Sequence, residues 1–163
     1  MLLDTGGGLK KAKWFFDDSP FIIYNVDINS DIDLAKLYSE NINKEALATL
    51  AVTNRNSSRV LLVDNNNILC GWKNKKTNEI KMSRETKGEL IEKAFSGIHI
   101  VNPAIFNLMP EQNVFSIIDL YLSAARENIK TIFDHNSSKW IDAGKPETLK
   151  LIKDNPDYYL VGL

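Results

Sequence analysis

Between residues 21 and 54 the chain reads as apolar strand, amphipathic helix, apolar strand, and few folds accommodate that order with such short connections. FIIYNVDI (21–28) opens on four apolar or aromatic residues, as a buried strand does. DLAKLYSENINK (33–44) puts Leu34, Leu37 and Tyr38 on one helical face, with Asp31 or Asp33 available as its cap. ALATLAVTN (46–54) is a second continuous apolar run. This unit predicts parallel strands joined by a right-handed crossover.

From residue 55 the texture changes. RVLLVD, NILCGW and EIKMS are short and are separated by turns such as DNNN and KNKKTN, which predicts a β-meander. AFSGIHIVN (94–102) is a further apolar strand. FSIIDLYLSAARE (115–127) carries an apolar stripe of Ile117, Ile118, Leu120, Tyr121 and Ala124, with Ser116 as its cap. KTIFDH and SSKWIDAG predict two short strands, and Pro146 stands at the first turn of a last helix, PETLKLIKD. Near the start, LKKAKWFF (9–16) reads as a short helix after a glycine run, broken by Asp17, Asp18, Ser19 and Pro20. No repeat or low-complexity linker interrupts the chain, so residues 1–163 read as one α/β domain.

Composition excludes several classes. A net charge of −1 leaves no electrostatic footprint for nucleic acid. No apolar run approaches the roughly 18 residues of a membrane helix. MLLDTGGGLKKAK has no apolar segment of a signal peptide, and a cytoplasmic location is the default expectation. The single cysteine, Cys70, rules out an internal disulfide and reads as a small buried hydrophobe.

Three places offer chemistry. Thr5, Gly6, Gly7 and Gly8 precede a lysine-bearing helix; glycines there let backbone approach a flat ligand, or they are simply a flexible chain start. Asp27 ends a buried strand, where ligands of open sheets gather, and could hold Mg²⁺ or merely cap the next helix. Asp142, in WIDAGKPE, likewise ends an apolar strand, and could meet Asp27 over one metal or only bond amides in a tight turn. His99 lies in an apolar strand and reads as a core histidine with a satisfied ring; His135, before a turn, could reach the mouth of a site but reads rather as a surface residue. No GxSxG is present, so a hydrolytic triad has no support.

The order TGGGLKKA, NVD, FSGIHIVNP, FSIIDLYLSAARE, KWIDAGKPETL resembles bacterial sugar-phosphate nucleotidyltransferases of the mannose-1-phosphate guanylyltransferase and N-acetylmuramate-1-phosphate uridylyltransferase type, over about residues 3–150. The resemblance implies a Rossmann-like nucleotide-diphospho-sugar transferase fold with a mostly parallel central sheet and a small β-meander. It implies transfer of a nucleoside monophosphate from a nucleoside triphosphate to a sugar 1-phosphate, with release of pyrophosphate and with Mg²⁺ as cofactor. By this similarity Asp27 and Asp142 are the catalytic, metal-binding pair. Gly6 and Gly7 lie against the nucleotide base. Asn25 and Gly97 line the sugar pocket, and Trp140 forms a wall there.

The chain also departs from that family. Its phosphate-gripping loop, GxGxRxxPxT, does not occur in the 163 residues, nor do the strands around it. The expectation is a partial domain with its N-terminal strands missing, poorly active alone, and open to self-association through an exposed sheet edge. A non-catalytic nucleotide-sugar-binding or scaffold remnant is the alternative. Where relatives carry Glu-Lys-Pro, this chain reads SRETKGELIEKAF, leaving Lys87 and Lys93 as candidate phosphate contacts. In the last motif Ala143 and Lys145 flank Gly144 where Val or Ile and Thr are usual.

Overall fold

The computed structural model describes residues 2–86, 88–125 and 130–156. Its spine is β7 (Ile91–Val101), the longest strand in the molecule. Both predicted strands of the opening unit, β1 (Phe21–Tyr24) and β3 (Ala48–Thr53), pair antiparallel with β7 on its opposite edges. The meander strands β4 (Arg59–Val63), β5 (Leu69–Asn74) and β6 (Glu79–Met82) extend the sheet from the first half of β7. β8 (Lys130–Asp134) closes the other side, parallel to β3. The order is β6-β5-β4-β7-β3-β8, with β1 beside β7 as well.

The α/β class and the meander are present as expected, but a mostly parallel sheet is not. Among the described residues only β3 and β8 pair in parallel; the other ladders run antiparallel. The physical reason is β7. The crossover through α2 (Leu34–Asn43) does give β1 and β3 one direction, but β7 inserts between them and runs the opposite way. Direction follows from a strand–helix–strand pattern; adjacency does not.

Helices cover both faces. Asp33 Oδ1 accepts the Lys36 amide at 2.8 Å and so starts α2. Leu37 of that helix, fully buried, packs with Ile32, Ala51, Ile98 and Ile100. On the opposite face α3 (Ile117–Ala124) packs Leu120 and Tyr121 against Leu50, Val52 and Val101. Alternation along β7 sends Ile98 and Ile100 to one layer and Val101 to the other, as a pleated strand requires.

The first helix differs from expectation. α1 (Asp4–Lys11) includes the three glycines, although glycine is a poor helix former. Packing explains it. The Gly6 and Gly7 amides both reach Phe115 O, at 3.0 and 3.3 Å. A Cβ on Gly7 would lie 2.0 Å from Asn113 O, and one on Gly6 2.4 Å from the Phe115 ring. Only glycine lets α1 come this close to the segment before α3. Thr5 Oγ1 then accepts the Ile117 amide at 3.1 Å, tying α1 to the start of α3.

Beyond β1 the chain turns into β2 (Ile28–Ser30), which forms a separate two-stranded ribbon with β9 (Trp140–Asp142). α4 (Pro146–Asp154) follows, with proline in its first turn as predicted. No helix among the described residues is long and apolar enough to cross a membrane.

Candidate active site

The three parallel strands β1, β3 and β8 end at one rim, and the chain's polar chemistry collects there. Behind β1 come Asn25 and Asp27; behind β3 comes Arg55; Asp134 and His135 end β8. Ligand sites favour the carboxyl ends of such strands.

The β2–β9 ribbon brings the two aspartates together. Ile28 pairs with Asp142 and Ser30 with Trp140. The Ala143 amide donates to Asp27 O at 2.7 Å, and Ser30 Oγ donates to Lys139 O at 2.6 Å. Residues 115 positions apart in sequence are therefore held by backbone bonds, not by side-chain chance. At Gly144 the missing Cβ matters: it would sit 2.8 Å from Asp27 Oδ2 and 3.1 Å from Asp142 Oδ1. Both carboxylates thus face one small space that any other residue would fill. Asp142 Oδ1 also accepts the Gly144 amide at 2.9 Å, so the turn reading of this residue holds alongside the convergence. Neither carboxylate has an ion pair among the described residues.

This donor set suits a hard cation. Two carboxylates facing one small space offer hard oxygen ligands of the kind Mg²⁺ takes alongside water and phosphate oxygens. No group of three or more acidic, histidine or cysteine side chains gathers among the described residues, so a site satisfied wholly by protein is not what this rim offers.

Behind the aspartates, a bulge in β7 organises the floor. Leu50 pairs with His99 and Val52 with Phe95, so Ser96, Gly97 and Ile98 together oppose Ala51. Gly97 takes φ +74°, a conformation that disfavours other residues. Asn25 crowds it: a Cβ on Gly97 would lie 2.8 Å from Asn25 Nδ2, and the Asn25 amide donates to Gly97 O at 2.9 Å. Asn25 and Gly97 are thus side by side. The Trp140 indole N–H donates to Ser96 O at 2.8 Å, which fixes its ring beside them.

Arg55 escaped the sequence reading, and His135 lies deeper than a surface residue. Arg55 lays its guanidinium 4.0 Å from the centre of the Trp140 ring and donates to Phe95 O at 2.8 Å. Burial lowers its pKa, an effect opposed by nearby Asp142. Its buried Nε has no hydrogen-bond partner among the described residues. The rule that marked Asp27 also marks Arg55, which immediately follows the end of an apolar strand. His135 is 3% exposed, not a surface residue, with Nε2 2.7 Å from Ser96 Oγ. Lys93 is engaged with Asp134 and with Asn54 Oδ1. Lys87 lies outside the described residues.

Two cavities flank this floor, with Phe95 and Ile118 lining both. One, of about 620 Å³, is mainly apolar and lies between α1, β1 and α3; Thr5, Gly8 and Asn25 line it. Gly6 and Gly7 are not among its lining residues; they face Phe115 and Asn113 instead. The other, of about 480 Å³, is polar and reaches Asp142. His99 closes the floor of the apolar cavity between Phe95, stacked at 5.3 Å, and Tyr121, edge-on at 5.5 Å. It is a core histidine, as its strand implied, but neither ring nitrogen has a hydrogen-bond partner among the described residues.

No family model matches the chain. Solved structures do. HddC from Yersinia pseudotuberculosis, in complex with GMP-PN, aligns over 93% of this chain and 61% of its own at 20% identity, with a TM-score of 0.63. The inositol-1-phosphate CTP transferase from T. maritima aligns over 93% and 62% at 15% identity, TM-score 0.63. UDP-glucose pyrophosphorylase in complex with UDP-glucose aligns over 98% and 63% at 15% identity, TM-score 0.69. The chain therefore has the Rossmann-like α/β fold of these proteins, and it spans about three fifths of their length.

Proposed function

We propose that this chain is part of a sugar-1-phosphate nucleotidyltransferase, with residues 1–163 forming one partial domain of that fold and Asp27 and Asp142 binding Mg²⁺. The observation that carries this reading is the pair of carboxylates meeting over the empty Cβ position of Gly144. The fold shared with nucleotide- and nucleotide-sugar-bound structures supports it.

In the reaction, an oxygen of the sugar 1-phosphate forms a bond to the α-phosphorus of a nucleoside triphosphate while the bond to the pyrophosphate oxygen breaks. Such transfers depend on in-line placement and charge neutralisation more than on covalent help from the protein. When bound, Mg²⁺ supplies Lewis acidity and a template for phosphate oxygens. Asp27 and Asp142 hold that position rigidly because the β2–β9 ribbon fixes their backbones. Asn25, braced against Gly97, offers its side-chain amide to the substrate. Trp140, tethered to Ser96, walls the sugar side and carries Arg55, whose charge faces phosphate. Gly6 and Gly7 act by letting α1 pack closely, which presents Thr5 and Gly8 to the apolar cavity where the base is accommodated. A cytoplasmic location, where nucleoside triphosphates are supplied, belongs to this reading.

Self-association belongs to it too. β1 pairs only with β7 among the described residues, and Ile22 on it is 41% exposed. A strand added to that edge walls the apolar cavity on its open side. Sedimentation that depends on concentration, and that Ile22→Lys abolishes, is the expected result; a monomer at all concentrations contradicts it.

A thermal-shift titration with nucleoside triphosphates, nucleotide sugars and sugar 1-phosphates tests the function. Ligand bound to the native state raises the midpoint. The reading predicts a rise that requires Mg²⁺ and disappears in Asp27→Asn. A panel with no Mg²⁺-dependent rise contradicts it.

A further inference from the structure

The polar cavity beside Asp142 carries more positive charge than one phosphate needs. Arg55, Arg59, Lys76 and Lys145 line it, against the single carboxylate of Asp142. Neighbouring lysines show how this sheet usually neutralises cations: Lys73 and Lys75 both pair with Glu92, at 2.9 and 2.6 Å. Lys81 likewise pairs with Asp119 at 2.8 Å. Arg59, Lys76 and Lys145 have no such ion pair among the described residues. Position separates them into two sets. Arg55 and Lys145 belong to the loop after β3 and the turn after Asp142, beside the carboxylate pair. Arg59 and Lys76 stand at the start of β4 and just past β5, on the sheet side of the cavity. Trp72 of β5 lines the space as well. At about 480 Å³ the cavity is within the range of small-molecule sites.

We infer that the sugar 1-phosphate taken by this site bears a second anionic group, a phosphate or a carboxylate, remote from C1. This rests on the nucleotidyltransferase reading and narrows its substrate class. A neutral sugar leaves the Arg59 and Lys76 cations to solvent; an anionic sugar gives them charge-assisted hydrogen bonds. Arg55 and Lys145 then serve the 1-phosphate, with Arg55 held in place by the Trp140 ring and the Phe95 carbonyl. Its unpartnered Nε is a further donor for that anion.

Calorimetric titration of the full chain in Mg²⁺ with glucose 1-phosphate, glucose 1,6-bisphosphate and glucuronic acid 1-phosphate is the test. One of the two doubly functional sugars should bind about tenfold tighter than glucose 1-phosphate, the gain of one added charge-assisted hydrogen bond. Which of them does so identifies the second group as phosphate or carboxylate. The advantage should shrink in Arg59→Ala and in Lys76→Ala, both exposed positions whose loss leaves the core intact. Equal affinity for all three sugars overturns this inference and leaves the nucleotidyltransferase reading standing. Binding of none overturns both.

Discussion

The carboxylate rim and the α1–β1 edge border two cavities that share Phe95 and Ile118, yet they are built on opposite terms. At the rim, side chains are held by backbone: the Ala143 amide on Asp27 O, Trp140 on Ser96 O, Arg55 on Phe95 O, Asn25 on Gly97 O. Its acidic oxygens converge on one small space. At the edge, a strand paired on one side only among the described residues and an apolar groove lie beside His99, which is 2% exposed, and the Tyr121 hydroxyl; neither group finds a hydrogen-bond partner among the described residues. The rim is arranged before any ligand arrives. The edge keeps polar atoms dry at a cost of about 1–3 kcal/mol each. Preorganisation and tight packing are thus separate properties, and glycine serves them differently in each place.

Gly144→Ala should break the comparison most sharply. The new methyl would displace short carboxylate side chains and not backbone, so the fold should persist. Metal-dependent ligand binding should fall about a hundredfold, as misplacement near 1 Å costs in comparable sites. Thermal melting run beside the binding assay separates the two effects. At the edge the same substitution acts on stability. Gly7→Ala drives a Cβ into Asn113 O and should cost about 2–3 kcal/mol by overpacking. Gly8→Ala, with nothing within 4 Å of the added atom, should stabilise by about 0.5–1 kcal/mol. Urea denaturation reads both, and equal effects at Gly7 and Gly8 would contradict the packing argument.

The edge also predicts a pH dependence. Burial pushes His99 down to about 3 from an ordinary value of 6.5, so the native state resists the proton that the unfolded chain accepts. Stability is therefore fully present above pH 6.5 and declines as pH falls toward 3, by up to about 1.4 kcal/mol per unit. His135, also lowered mainly by burial, acts with the same sign. His99→Phe should flatten this slope in chemical denaturation at a series of pH values. A slope unchanged in the variant would place its origin elsewhere.

The smallest expected signal is catalytic. The 163 residues contain no GxGxRxxPxT loop to grip phosphate, and losing such donors costs on the order of a hundredfold or more each. Pyrophosphate release by this polypeptide should stay near background while Mg²⁺-dependent binding is measurable. Turnover well above background would show that the rim suffices without that loop.

Much of this was legible in the residues. Apolar runs and the turns between them located the strands of the main sheet but not the short β2, and an acid following an apolar run marked both Asp27 and Asp142. What was not legible depends on partners far along the chain. Nothing local in SGIHIVN says that it lies between the two strands of the opening unit. Nothing local in TGGG says helix, because the contacts with Asn113 and Phe115 decide it against glycine's own preference. Arg55 and His135 take their places from carbonyl and hydroxyl groups of the β7 bulge, and a bulge is set by register between strands, not by either strand alone.

Mn²⁺ in place of Mg²⁺, followed by electron paramagnetic resonance, tests the central claim most directly. One ion should bind per wild-type chain, and both Asp27→Asn and Asp142→Asn should weaken it about tenfold or more. Undiminished Mn²⁺ binding in either variant would show that the two aspartates do not share a cation.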